Sequence, residues 1–283
     1  MEVMLPHLCQ KSLLTLYISW HTKSKESEMD LVNIDAGKEP SYTMKESLRT
    51  FRTNIAFCGS DVKVIMFTSS VPDEGKSTCV FNLARAITDS GKKVLIIDTD
   101  MRKSVLIRRY HAVRENNEEI FGLSHYLSGQ KSADDVMYRT NIDGIFMVFA
   151  GPTVPNPTEI LEKDALDELV NISRKYFDYI LIDCAPLGAA IDAAVVARVC
   201  DGAIMVIEQG AAGSRVIIEH KKQLEASGVK ILGAVLNKVK LNSSGYYGHY
   251  YKKYYGKYYG KYDNDRGKGK KRRKRNSVED KRS

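Results

Sequence analysis

The sequence predicts an α/β chain built on a parallel sheet with helices on both faces. Three observations predict it. Short apolar runs alternate with helical patterns from Val62 to Leu236, as expected for strands buried on both sides. The first run, Val62 to Thr68, passes through a turn into Gly75-Lys76-Ser77-Thr78 at the head of a helical stretch. The next run, Val94 to Ile97, ends in Asp98. Val62 to Asp98 is therefore one strand–loop–helix–strand unit, and the rest of the chain is organised around it.

In chain order, residues 1–41 read as an N-terminal extension without order. Leu13 to Trp20 is apolar but far short of the ~20 residues of a membrane span, and Glu2 rather than a basic cluster precedes it. Residues 29–41 read as a flexible lead. From Tyr42 the pattern turns helical, with Leu48, Phe51 and Ile55 on one face. Glu46, Arg49 and Arg52 recur every three residues on that helix and form one stripe. Such a stripe is either a solvated face or a surface that pairs with another subunit.

The loop after the first strand fits G-x-x-x-x-G-K-[ST] except that Ser70 replaces the first Gly. In such a loop the backbone N–H groups and the positive helix end cradle phosphates. The Lys reaches the outer phosphates and the next hydroxyl binds Mg²⁺. The expected fold is thus P-loop NTPase-like. Its helix runs from Lys76 to Ser90, closed by Gly91 as a left-handed cap. The second strand delivers Asp98, Asp100 and Arg102 to its carboxyl end, where open parallel sheets bind ligands. Two carboxylates and an Arg there suit metal and phosphoryl chemistry, although Asp also favours turns and caps.

Residues 103–143 give no clear pattern. Gly144 to Ala150 reads as a third strand, Thr158 to Tyr176 as a helix, and Asp178 to Ile182 as a fourth strand ending in Asp183. An apolar strand with a terminal Asp is the Walker B pattern, whose carboxylate holds Mg²⁺ directly or through water. A helix (Ala189 to Val199), a strand (Gly202 to Ile207), a helix (Ser214 to Ser227) and a strand (Lys230 to Leu236) complete the core. Asn237 follows the last strand, placed either to hydrogen-bond an adenine or to serve a turn.

Five cysteines, odd in number and without a C-x-x-C pair, argue for reduced thiols and against a disulfide frame or zinc site. The net charge of +8 is uneven. From Tyr246 onward there are 14 Lys and Arg against 4 Asp and Glu, a net of +10, which leaves −2 for the rest. The basic pI of 9.1 belongs to the tail and gives no reason to expect a nucleic-acid-binding domain.

That tail contains nine tyrosines: Tyr246, Tyr247, Tyr250, Tyr251, Tyr254, Tyr255, Tyr258, Tyr259 and Tyr262. They are spaced by Gly, Lys and His with no aliphatic residue, so a flexible segment is expected over residues 244–283, after a core domain at 42–243. Such phenols serve as stacking or aggregation surfaces, as nucleic-acid platforms, or as phosphoacceptors. The closing run Lys270 to Arg275 suits a solvated tail or an anionic lipid surface.

Taken together, SSVPDEGKST (69–78), VLIIDTDMR (94–102), YILID (179–183), ESLRTFR (46–52) and the tyrosine cluster resemble the bacterial tyrosine kinases of the polysaccharide co-polymerase system. The likeness runs from about Tyr42 to Tyr262 and is strongest to the split Gram-positive type. MinD/ParA-like positioning ATPases share the three Walker motifs but carry a signature Lys where this chain has Val71, and they lack such a tail. The sequence departs from the kinases at Cys184-Ala185-Pro186, where two prolines would follow the Asp.

The resemblance implies an ATP- and Mg²⁺-dependent autokinase that regulates capsular or exopolysaccharide synthesis. It would be cytoplasmic and recruited to the membrane by a transmembrane co-polymerase adaptor with an activating cytoplasmic tail. It also implies a ring, an octamer in family members, joined through Glu46, Arg49 and Arg52, with tails phosphorylated in trans and sugar-nucleotide enzymes as further substrates. Asn237 then leans toward adenine. Val71, Pro72, Asp73, Glu74, Gly75 and Lys76 are expected around the phosphates, with Thr78 near the α-phosphate. Ser77, Asp100 and Asp183 are the expected Mg²⁺ shell. Asp98 is the first candidate for the base and Asp100 the second, with Arg102 offsetting charge.

Overall fold

The computed structural model describes residues 29–115 and 117–239. The expectations for residues 1–28, the tyrosine cluster and the basic run lie outside them. The described residues through Asn237 belong to one compact unit. Lys238 opens a second, of which only Lys238 and Val239 are described.

Among the described residues nine strands form one sheet in the order β4-β1-β5-β6-β3-β7-β2-β8-β9. They are β1 (Leu31–Asn33), β2 (Val64–Ser69), β3 (Val94–Asp98), β4 (Val113–Arg114), β5 (Met137–Thr140), β6 (Ile145–Val148), β7 (Tyr179–Asp183), β8 (Gly202–Glu208) and β9 (Ile231–Asn237). From β6 to β9 all pairings are parallel. The expected parallel sheet is corrected to a mixed one, because β5 runs antiparallel to β6 and β4 antiparallel to β1. The loose lead expected at 29–41 is corrected too. β1 pairs in parallel with β5, and Val32 and Ile34 are buried.

The helices are α1 (Tyr42–Ala56), α2 (Lys76–Thr88), α3 (Leu106–Arg109), α4 (Leu123–Leu127), α5 (Ala133–Val136), α6 (Pro157–Leu161), α7 (Asp164–Ser173), α8 (Asp192–Val196) and α9 (Ser214–Ala226). Successive strand residues point to opposite faces, and both faces are apolar. Met66, Ile97 and Ile182 meet Leu166, Leu169 and Val170 of α7 in one cluster. Ile65, Phe67, Ile96 and Leu181 meet Val80, Phe81, Leu83 and Ile87 of α2 in the other. Burying each such side chain stabilises the fold by about 1.5–3 kcal/mol. The strands that carry the site are thus gripped from both sides.

The single helix expected over 158–176 is two. A guanidinium nitrogen of Arg198 donates to the carbonyls of Leu161 and Lys163 at 3.0 and 2.9 Å, which satisfies the backbone where the helix breaks. The helix expected over 189–199 narrows to α8, followed by a 3₁₀ turn at Ala197–Val199. Gly91 has φ +77°, the left-handed conformation its capping role requires. Glu39 pairs with both Lys45 and Arg85, at 2.5 and 2.6 Å, and so links α1 to α2.

Candidate active site

Sheet order determines which motifs meet. β3, β7 and β2 are neighbours, and Asp98 at the end of β3 stands directly opposite Asp183 at the end of β7. Asp183 in turn pairs in register with Phe67 of β2, two residues before the phosphate loop. Asp98, Asp183, Lys76 and Ser77 therefore share one sheet edge, and all four are buried.

The loop between β2 and α2 turns sharply at two left-handed residues, Asp73 (φ +63°) and Gly75 (φ +91°). Gly75 caps α2 without a side-chain hydrogen bond. A helix start of this kind offers unpaired N–H donors to an anion. The inner wall of the loop is Glu74, whose side chain is fully buried. Its Oε2 accepts from the N–H groups of Ser70 and Val71 at 2.8 and 2.9 Å, and its Oε1 from that of Glu208 at 3.0 Å. The Glu74 carboxylate and the Val71 amide thus face each other, so the Val71 N–H expected at the phosphates is engaged within the loop. Pro72 and Asp73 are exposed at the loop tip.

The two opposed carboxylates differ. Asp98 Oδ1 accepts from the Asp100 N–H at 3.0 Å and its Oδ2 from the Ser104 hydroxyl at 2.6 Å. Burial and the neighbouring Asp183 charge push its carboxyl well above the usual range, and those hydrogen bonds pull back only in part. Burial also raises Asp183, to about 6, against the Lys76 ammonium and the Ser77 hydroxyl. Yet Asp183 Oδ1 is buried with no hydrogen-bond partner. An orphaned carboxylate oxygen beside a Ser hydroxyl fits a cation. Among the described residues no cluster of three His, Cys, Asp or Glu groups suits a metal. Mg²⁺ bound beside phosphates takes one or two side-chain oxygens and completes its shell with phosphate and water.

Asp100 is half-buried, and its Oδ1 accepts from the Lys103 N–H at 3.0 Å. Arg102 turns to Asp192 in a two-pronged pair at 2.7 and 3.1 Å, and the Thr158 hydroxyl reaches the same carboxylate at 2.5 Å. Burial works against the Asp192 charge, but these hydrogen bonds outweigh it and hold the carboxyl below its ordinary value. The Asn237 side-chain amide donates to the Glu74 carbonyl at 2.9 Å. In the charged stripe, Arg49 pairs with Glu46 at 2.5 Å and Arg52 donates to the Ala86 carbonyl of α2 at 2.8 Å. Two members of the stripe thus pair with each other and the third braces the core.

Sequence reasoning missed Arg109. Its guanidinium donates to the Thr78 hydroxyl beside the phosphate loop, and its charge acts on Asp183. It lies in the stretch without pattern, and only α3 brings it back to the site. Glu74 and Asp192 also gave no sign of their burial.

An AAA-domain family profile matches residues 62–238. The tyrosine-protein kinase CpsD of Streptococcus pneumoniae serotype 4 is 41% identical over 194 residues, covering 69% of this chain and 84% of that protein. The chain belongs to the bacterial tyrosine-protein kinases. It is of their Gram-positive type. The kinase domain of Escherichia coli tyrosine kinase ETK superposes with a TM-score of 0.65 at 30% identity, covering 71% of this chain and 78% of that one. The septum site-determining protein MinD of Pyrococcus horikoshii, solved with Mg-ADP, reaches a TM-score of 0.52 at 23% identity, covering 62% and 69%, and shares the fold alone. Among the described residues no helix is long and apolar enough to cross a membrane.

Proposed function

We propose that this kinase transfers the γ-phosphoryl group of ATP to its own C-terminal tyrosines, Tyr246 to Tyr262, in trans within a ring. The observation that carries the reading is the shared sheet edge. Lys76, Ser77 and two unlike carboxylates stand together there, at the head of an uncapped helix. Phosphoryl transfer depends on positioning and charge neutralisation more than on covalent chemistry.

N–H groups at the start of α2 and the Lys76 ammonium hold the β- and γ-phosphates. Ser77, Asp183 and Asp100 are the side chains that would hold Mg²⁺, which supplies neutralisation of the phosphate charge. Arg109, beside Thr78, adds a second cation near the α-phosphate. Arg102 acts at one remove, by fixing the loop after β3 through Asp192. A phenol has a pKa near ~10 and needs a base at neutral pH. Asp98 has the raised proton affinity for that role and Asp100 has the access. For Asp98 to act, the phenol must reach an oxygen that already accepts from the Asp100 N–H or the Ser104 hydroxyl.

Each phosphotyrosine adds about −1.5 to −2 charges, so roughly five or six offset the +10 of the tail and loosen the ring. The role is regulation of capsular or exopolysaccharide synthesis. A transmembrane co-polymerase adaptor recruits the kinase to the inner membrane face and activates it, and sugar-nucleotide enzymes are its outside substrates. Intact-mass and peptide spectrometry after incubation with Mg-ATP tests this, with and without the adaptor's cytoplasmic tail. Phosphate-sized steps on Tyr246 to Tyr262, absent in Lys76→Met, are expected. ATP hydrolysis without phosphotyrosine, even with the adaptor tail, would contradict it.

A further inference from the structure

Glu74 and Asn237 form an arrangement that the reaction as described leaves unexplained. A fully buried carboxylate is costly unless it is paired, yet no ion pair to Glu74 occurs among the described residues. Its partners are three backbone N–H groups, two from the start of its own loop and one from the end of β8. Its own carbonyl accepts from Asn237 at the end of β9. The loop is thereby fastened at one residue to two neighbouring strand ends, between the left-handed Asp73 and Gly75. Gly75 takes up that conformation freely, whereas at Asp73 it costs energy and persists only where the surroundings impose it.

We infer that Glu74 and Asn237 are positioning residues of one clamp, which sets the phosphate loop before a nucleotide arrives. Asn237 acts on the phosphates through the Glu74 carbonyl, not on the base. Two consequences follow from the hydrogen bonds. The amides of Ser70 and Val71 are turned inward, so the cradle starts later in the loop than the motif suggests. Ser70 can stand where the motif has Gly because its backbone does not take up the left-handed conformation that would call for Gly. Both Glu74 side-chain oxygens serve as acceptors in the clamp. A Gln of the same shape would bring an NH₂ against N–H donors, leaving at least one buried donor unmatched.

The inference rests on the loop binding nucleotide phosphates and not on the protein being a kinase. Binding of ADP and of inosine diphosphate, which differs at the base, separates the two. The assay is titration of wild-type, Glu74→Gln and Asn237→Ala proteins. Each substitution is expected to weaken both nucleotides by the same factor, about tenfold for the loss of one well-placed hydrogen bond to the loop. Amide hydrogen exchange of ligand-free Asn237→Ala should speed up at Ser70, Val71 and Glu208 while the melting temperature stays near wild type. That variant keeps the test available if Glu74→Gln folds poorly. A penalty from Asn237→Ala confined to ADP would place Asn237 on the adenine and overturn the inference. So would unchanged affinities or unchanged exchange at those three amides. Failure to find phosphotyrosine, with these binding results intact, would sink the kinase reading and leave the clamp standing.

Discussion

The ends of β3 and β7 invite comparison, because they present the same residue in the same register with opposite wiring. Asp98 and Asp183 face each other across one strand pair, and both are buried. Both oxygens of Asp98 accept from neighbours in its own loop. Asp183 keeps one oxygen without a partner. A buried polar atom left unmatched costs about 1–3 kcal/mol, more if charged, and a bound cation would relieve that cost. Strand geometry places a carboxylate at the edge, and the following loop decides whether it braces the protein or waits for a ligand. After β3 that loop turns back at once through Asp100 and Ser104. After β7 it leaves toward β2, where the Cys184 N–H donates to the Phe67 carbonyl at 2.9 Å.

Substitutions at these two ends should differ most. Asp183→Asn is expected to lose Mg²⁺-dependent nucleotide affinity by about a hundredfold or more, since even outer partners of metal ligands are worth about 10–100-fold. Calorimetric titration of ADP with and without Mg²⁺ reads this. Asp98→Asn should bind Mg-ADP nearly as wild type does, while its autophosphorylation rate falls about 10²–10⁴-fold if Asp98 is the base. A fall of that size in Asp100→Asn alone would move the role to Asp100.

The pH dependence sharpens the contrast further. Asp183 is protonated below about 6 in the ligand-free protein and then cannot hold a cation. Mg-ADP affinity should therefore rise with pH through that region, by up to about tenfold per unit, and level off above it. The Asp183→Asn protein should lack this rise. For stability the sign is reversed. The folded state binds the Asp183 proton more readily than the unfolded state, so this group favours folding at low pH. Its contribution fades as pH climbs from about 4 to about 6. Asp98 acts in the same direction, whereas Asp192, held below its ordinary value, acts in the opposite one.

The smallest effect is expected at Arg102→Ala. It leaves the buried Asp192 with a hydrogen bond from the Thr158 hydroxyl. Because Arg102 itself is partly exposed, a loss of about 1–2 kcal/mol in thermal unfolding is expected, less than for a fully buried pair. Nucleotide affinity should hardly change.

Much of this architecture was legible because burial on both faces writes itself as unbroken apolar runs. Val64–Ser69, Val94–Asp98 and Tyr179–Asp183 stand where those runs predict them. Asp98 and Asp183 follow from the strand ends that carry them, and Lys76 and Ser77 from the loop motif that opens α2. What stayed hidden depends on contacts distant in sequence. β1 and β4 have three and two residues, too short for a periodicity, and are strands only because β5 pairs with β1. Arg109 reaches Thr78 across 31 positions, and Glu208 reaches Glu74 across 134. Glu74 itself reads as one more variable position in a phosphate loop. Nothing local announces that its carboxylate points inward.

The most direct measurement is the Mg²⁺ dependence of ADP binding in wild-type, Asp98→Asn and Asp183→Asn proteins at pH 7.5 (roughly 1.5 units above the Asp183 value, so that its carboxylate is ionised). The wiring of the two strand ends predicts that Mg²⁺ strengthens binding to wild type and to Asp98→Asn and leaves Asp183→Asn unmoved. Equal Mg²⁺ dependence in the two variants would contradict it.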